Sequence, residues 1–492
     1  MVSASAGESP ARFAQTCARA MTTASWTGSE IGPSDSERMR MAEHAASTRA
    51  ATRRTSTRSI SSISRRTARS EGATCTTSDI RPSEPVPGQV TSTAPVRGPA
   101  HIPLAVPGSM QIVLASNFDD RLIEETADLP VSTFFGGFPI QLTGGGRPPQ
   151  ILPAVDRERF RAHLKMVHRH SRQFFATLNS NDLGLKEYGP GYVDRFLREV
   201  GDLIDLGVDG FVVALPALIE AIRTEYPDVP ISVSTFARIR TVTQAEYFLK
   251  LGARTIILEE GNRDFRLIRG LIRLGAEVEV LVNQSCLPSC PYRGHHLNTS
   301  SLASQPDAPC PAFEYPILEC GLEYVRDPAK LISGIFVRPE DLAVFEEAGV
   351  TRFKVSGRNR STAWLLRSAR AYAHRSYVGN LADILSLVQV KGPSAALQRI
   401  GAGPDGEEAL ALARAFGPLS ELTIDNQAFP PDFLRHIAAV DCEHTTCEVC
   451  GYCRGVAAKV LRVAGRPVTE YVPPAELPPA IRLLPRLGPS AA

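Results

Sequence analysis

Eight of the ten cysteines fall into two groups whose spacing suits metal ligation. The first is Cys286, Cys290, Cys310 and Cys320, opening in LVNQSCLPSCPYRGHH; the second is Cys442, Cys447, Cys450 and Cys453, in DCEHTTCEVCGYCRGVAAKVL. Cytosolic cysteines stay reduced, so a clustered subset points to metal rather than to disulfides. The 3-, 19- and 9-residue gaps of the first group match no compact zinc ribbon. A four-cysteine [4Fe-4S] site is the expectation there, with structural zinc or free thiols as alternatives. In the second group a CxxCxxC run can wrap one ion or cluster from a tight loop, and a helix from about Gly455 would turn its positive end to the thiolates. A second iron-sulfur cluster is expected, with structural zinc, His444 replacing a cysteine, and a shared site or no metal as the alternatives. Cys17 and Cys75 stand apart and receive no role.

Other side chains with usable chemistry gather near the first group. His295 and His296 follow its first pair and could move protons or bind a carboxylate, against the plain reading of ordinary loop histidines. Glu259 and Glu260 end a strand, so one should face inward as a candidate acid or base and the other away; an arginine salt bridge is the competing reading. Asn117, Asn179 and Asn283 each sit at or just past a strand end, where an amide can orient a substrate or serve the local turn. Lys354 and Arg358, in RFKVSGR, put two cations near the same rim and suit an anionic small molecule or a phosphate backbone, unless they pair with glutamates. No GxSxG or HExxH occurs, which counts against a conventional protease.

Repeated strand-helix units must position these residues. Apolar runs predict strands at Gln111–Ser116, Val131–Gly136, Gln173–Asn179, Gly210–Leu215, Ile231–Thr235, Thr255–Glu259, Glu277–Val282 and Arg352–Val355. Amphipathic helices are expected at Val193–Leu206, Pro216–Tyr226, Thr243–Leu251 and Asp264–Leu274. Leu206-Gly207, Leu251-Gly252, Leu274-Gly275 and Ala348-Gly349 carry the signature of a left-handed helix C-cap. Eight such units predict an α/β fold of TIM type, a parallel β/α barrel whose chemistry sits at the C-terminal strand ends. An open doubly wound sheet is the alternative, without a GxGxxG fingerprint to support it.

Past Arg358 the pattern turns helical, at about Ala363–Tyr377 and Asn380–Val390. The organisation expected is a leader over 1–109, a barrel over 110–380, and a smaller, mostly helical, cysteine-containing region over 381–492 whose Pro473–Pro489 tail packs loosely. The leader is rich in Ser, Thr, Ala and Arg without periodicity, so it reads as disordered or as upstream of a true start at Met110.

A net charge of +2 gives no general reason to expect nucleic acid as partner. Seven lysines against forty-seven arginines reads as a GC-rich genome rather than a function. No run approaches the roughly 18 apolar residues of a membrane span, and no secretory signal opens the chain, so a cytoplasmic protein is expected.

Over residues 110–380 the order of segments resembles the peptidase U32 family: FFGGF, FATLNS, PISVSTF, RTIILEE, the cysteine loop after EVEVLVNQSC, FVRPEDL and FKVSGR. Despite the name, the resemblance implies an iron-sulfur protein supporting oxygen-independent hydroxylation of a quinone precursor ring or an RNA base, in some branches with prephenate as oxygen source. It implies cluster ligation at Cys286 and Cys290, less directly at Cys310 and Cys320, whose gaps differ. The family's KIEGR reads KVSGR here, with Ser356 in place of an acid. Cys442–Cys453 lies outside the shared pattern. The leading expectation is therefore a redox modification of an anionic small molecule or RNA base, with His295, Glu259, Lys354 and Arg358 as catalytic candidates. A U32-type peptidase is the alternative, and a third reading is a non-catalytic cluster subunit working with a paired U32-like chain or an electron donor.

Overall fold

The computed structural model describes residues 109–138, 141–306, 308, 315–401 and 406–486. The leader 1–108 and Cys310 lie outside the described residues. Eight strands close into an all-parallel barrel in sequential order: β1 (Gln111–Ala115), β2 (Val131–Gly136), β3 (Gln173–Leu178), β4 (Gly210–Val213), β5 (Ile231–Val233), β6 (Thr255–Leu258), β7 (Glu277–Leu281) and β8 (Arg352–Val355). β8 pairs with β1 through Lys354 opposite Val113, which closes the ring. This is the TIM-type α/β barrel expected, each strand ending within two residues of its sequence-derived bound.

Local side-chain and glycine signals set the helix ends. Asp156 accepts from Arg159 N at 2.7 Å to start the helix Arg157–Arg169. Thr241 and Gln244 form a reciprocal capping box ahead of Val242–Lys250. Gly207, Gly252, Gly275 and Gly349 have φ of 109°, 89°, 82° and 96°, a left-handed conformation that glycine takes without a Cβ penalty, and each turns a helix toward the next strand.

The barrel interior is polar at its base and open at its top. Glu279 on β7 takes Lys354 Nζ at 2.8 Å and Arg352 at 3.2 Å, and Arg352 also reaches Gln111 Oε1 at 2.9 Å. At the C-terminal end, inward positions recurring at every second residue, such as Phe135, Thr177, Ile257, Glu259 and Lys354, line a cavity. Outward positions pack on the helices through fully buried Phe134, Phe174 and Phe353, with Phe160 of the helix Arg157–Arg169 among them.

Two expectations for the later chain are corrected, the second in part. Asn380–Val390 is not a helix: short 3-10 and α turns at Leu381–Asp383 and Val388–Lys391 flank an extended stretch in which Ser386 bridges Gln284 and donates its N–H to Asn283 O at 2.8 Å. Backbone groups at the end of β7 capture this stretch in place of helical partners. The Pro-rich tail is loose at Pro473–Glu476, which are exposed, but is anchored further on: Ala480 and Leu483 are buried and Arg482 meets Glu408 at 2.8 Å. Helices after residue 393 and a small antiparallel sheet of Thr423–Ile424, Leu461–Val463 and Arg466–Pro467 share their core with the barrel helices. Among the described residues no helix is long and apolar enough to cross a membrane.

Candidate functional site at the barrel mouth

The loop after β7 delivers the first cysteines. Ser285, just before Cys286, is fixed from three sides: its carbonyl accepts from Tyr324 Oη at 2.8 Å and Gln389 Nε2 at 2.9 Å, and its hydroxyl donates to Ser386 O at 2.9 Å. Cys286 Sγ accepts from Arg293 Nη1 at 3.6 Å and Gln284 Nε2 at 3.7 Å. Cys290 lies further along this loop, and Cys320 projects from the helix Tyr315–Arg326. The three sulfurs line one narrow cavity of about 20 Å³.

Burial is the main force on these thiols. It raises Cys286 to about 12, helped by Cys320, and raises Cys320 to about 12, helped by Cys290; Cys290 is raised by burial too. As free groups they are neutral thiols at neutral pH, so binding a metal would release their protons. Among the described residues no three His, Cys, Asp or Glu side chains are gathered closely enough to grip a single ion. The donor chemistry nonetheless fits a thiophilic group: three sulfurs facing one space, with a guanidinium and an amide N–H already turned on Cys286.

Gln284, Arg293, His296, Ile317 and Val388 belong both to this thiol cavity and to the larger cavity of about 160 Å³ over the barrel axis. Cations predominate in the larger one. Arg358 donates to Thr177 Oγ1 at 2.8 Å and Gly145 O at 2.6 Å, and burial, then Arg147, presses its pKa down to about 9. Arg293 is pressed to about 9 by burial, then by Arg147 and Arg238. Both guanidiniums stay charged at neutral pH. Arg293 is ion-paired with Glu259 and lies 3.6 Å from Glu260. Among the described residues Arg147, Arg358 and Arg360 have no carboxylate within ion-pair distance; Arg147 donates only to Gly146 O, and Arg360 sits over Trp364 at 5.3 Å.

The residues singled out from sequence are distributed unevenly. Glu259 faces the mouth, and Glu260 turns the other way to Arg238 and Arg240, at 2.9 and 3.2 Å. Asn179 lines the cavity, and its Oδ1 has no hydrogen-bond partner among the described residues. Asn117 and Asn283 do not line it. Asn117 donates to Arg360 O and Thr362 Oγ1, at 3.2 and 3.0 Å, while Asn283 clamps Ser356 through its N–H and carbonyl, both at 2.9 Å. Their amides serve the local turns instead of substrate. His295 is corrected in favour of His296: both lie in the helix Arg293–Ala303, where consecutive residues point about 100° apart, and His295 is exposed while His296 lines both cavities. Lys354 lines the cavity, but its charge is met by Glu279 and the face of Phe135, 3.7 Å away. Ser356 stands at the rim and donates to Asn283 Oδ1 at 3.1 Å.

Arg147 and Arg293 went unread in the sequence, two arginines among forty-seven. Arg147 had a local signal in GGGRPP. Gly146 has φ +64°, and a Cβ there would stand 2.9 Å from the Phe236 ring and 3.2 Å from Asn179 Oδ1, so only glycine lets this loop pass over the mouth.

A second polar cluster was also missed. Ser116, just beyond β1, is hydrogen-bonded to His163 Nε2 at 2.8 Å, and His163 Nδ1 to Asp120 Oδ1 at 2.8 Å. The order is that of a hydrolytic triad. Ser116 and His163 are fully buried, packed among Phe118, Phe160 and Phe174 on the outer side of the barrel wall, and neither lines any cavity described above.

Fold and mouth define a parallel β/α-barrel protein with a thiol-bearing loop after its seventh strand. The family model for peptidase family U32 matches residues 153–287, which include β3 through β7 and Cys286, so the chain is similar to that family over the middle of its barrel. An uncharacterized protease of Methanocaldococcus jannaschii is 26% identical over 251 residues, 51% of this chain and 74% of the relative. The tRNA hydroxylation protein P of Helicobacter pylori is 22% identical over 247 residues, 44% of this chain and 53% of that protein. Among solved structures, the U32 peptidase Mk0906 aligns over 51% of this chain and 93% of its own at 19% identity, with a TM-score of 0.38.

Proposed function

We propose that this U32-like protein is an iron-sulfur enzyme that carries out oxygen-independent hydroxylation, or a related redox modification, of an anionic substrate at the barrel mouth. The observation that carries the reading is the shared wall: Gln284, Arg293 and His296 face the three thiols on one side and the cation-lined cavity on the other. Cys286, Cys290 and Cys320 would hold the cluster, with Cys310, outside the described residues, as the fourth ligand. Such a cluster supplies one-electron or Lewis-acid chemistry next to a bound substrate. Arg147 and Arg358, free of carboxylates among the described residues, bind and orient the anion, Asn179 offers a carbonyl oxygen with no partner among them, and His296 stands where a proton can be passed between the two spaces. The hydroxylation of tRNA named for one relative supports the reaction class; a small anion and an RNA base with its phosphate both suit the cationic lining.

The peptidase reading has one observation in its favour, the Ser116–His163–Asp120 chain. A nucleophile must reach its substrate, and Ser116 is fully buried in an aromatic wall, so the chain is better explained as a structural bond between β1 and the helix Arg157–Arg169.

The test is anaerobic purification followed by iron and sulfide analysis. About four irons per chain bound at the mouth and lost in Cys286→Ala are expected. Iron content indifferent to that substitution, with peptide hydrolysis abolished by Ser116→Ala, would overturn the reading.

A further inference from the structure

The terminal cysteine group has a place in the fold that sequence spacing did not reveal. Cys442, Cys447, Cys450 and Cys453 all line one cavity of about 280 Å³, and Pro288 and Ser289, two of the three residues between Cys286 and Cys290, line it as well. The loop whose cysteines face the mouth cavity therefore has its other side against the terminal thiols. Ion pairs from three segments set this position: Arg266–Asp441 at 2.7 Å, Arg240–Glu443 at 2.8 Å, and Arg240–Glu260 at 3.2 Å. The expected helix begins earlier than Gly455, at Tyr452, and carries Cys453 in its first turn, while Cys447–Cys450 forms a short turn of its own, capped by Thr446.

An independent observation concerns charge. Arg263 lines the same cavity, partly buried, and among the described residues it has no carboxylate within ion-pair distance. Its guanidinium donates to Phe336 O at 2.6 Å and lies over the rings of Phe336 and Phe433, at 4.9 and 5.5 Å. The nearby carboxylate Asp341 is already taken by Arg338 at 2.7 Å. A guanidinium set over aromatic rings, with no carboxylate paired to it, on the wall that carries the four cysteines favours an anionic occupant of this cavity.

We propose that Cys442, Cys447, Cys450 and Cys453 hold a second iron-sulfur cluster, counterbalanced by Arg263 and separated from the mouth only by the Cys286–Cys290 loop. Three of the four cysteines are exposed, so this cluster would supply a one-electron site on the surface side of the loop. The proposal rests on the reading of the mouth as a cluster site only for the coupling between the two, not for the second site itself.

The experiment uses the full chain, purified and reconstituted anaerobically, with Cys450→Ala, Cys447→Ser and Cys286→Ala variants. The first two replace exposed side chains and leave the fold in place, which circular dichroism checks. Wild type should carry about eight irons and eight sulfides, and each variant about half. The dithionite-reduced wild type should give an electron paramagnetic resonance spectrum broadened by interaction of two nearby clusters, and each variant a simple uncoupled signal. Iron content and spectrum unchanged in both Cys450→Ala and Cys447→Ser, or stoichiometric zinc lost on those substitutions, would overturn the second cluster. Iron unchanged in Cys286→Ala but halved by Cys450→Ala would instead overturn the mouth reading and leave this one standing.

Discussion

The molecule holds two polar clusters at the two faces of one barrel wall, and they differ in what is left over after every partner is counted. Outside, Ser116, His163 and Asp120 satisfy one another: Asp120 also takes Arg159 at 2.8 Å, and Ser116 Oγ accepts from Phe118 N at 3.0 Å. Burial pulls His163 below its usual pKa despite Asp120, and Asp120, which burial alone would raise, is held down by Arg159 and His163. Inside, at the mouth, charges are left over. Among the described residues Arg147 and Arg358 have no carboxylates, and Asn179 keeps an unpaired carbonyl oxygen. A closed hydrogen-bond account marks structure, and an open one facing a cavity marks a site.

Breaking the base of the barrel should have the largest effect. Glu279→Ala strands Lys354 and Arg352 inside, and a loss of about 3–5 kcal/mol is expected in chemical denaturation. Substitutions at the mouth should spare stability and cost binding. Arg147→Ala or Arg358→Ala should weaken the anion-induced rise in melting temperature, tested with a panel of small carboxylates and phosphates, by about ten- to a hundredfold in apparent affinity. Equal anion response in wild type and both variants would remove the distinction between the two clusters.

A third test falls on the joint between wall and mouth. Burial pushes Glu199 up to about 7, against the bonds it accepts from Leu142 N at 3.1 Å on the loop that leads to Arg147. Because the folded state holds this proton more tightly than the unfolded chain, whose value is near 4.5, the stabilisation is complete below that pH and is lost as pH rises through 7. Stability should fall by up to about 3 kcal/mol across that window, and Glu199→Gln should flatten the slope. The smallest effect is expected at the closed cluster: Ser116→Ala should cost about 1–2 kcal/mol by leaving His163 short of a partner, with no change in turnover of the mouth substrate.

Much of this architecture was legible beforehand because it depends on local rules. Alternating apolar strands and glycine C-caps at Gly207, Gly252, Gly275 and Gly349 fix the eight units and their order. The strand-end parity argument separated Glu259 from Glu260. What escaped depends on contacts between distant segments. Nothing near Asn283 reveals that Ser356 will occupy its amide, and nothing in RGHH tells which histidine the helix turns inward before the helix start is known. Ser116, His163 and Asp120 carry no motif at all, since only the packing of a helix on β1 makes them neighbours.

The grip on Ser285 has a consequence for how this protein can be divided. Gln389 and Ser386, beyond the boundary where the barrel repeat ends, hold the residue next to Cys286. The segment after residue 380 therefore works as a keystone of the mouth, and a recombinant fragment stopped at the eighth unit would keep all its strands yet release the cysteine loop. Exchange of C-terminal regions between relatives is constrained in the same way: a new terminus must bring its own fastening for that loop.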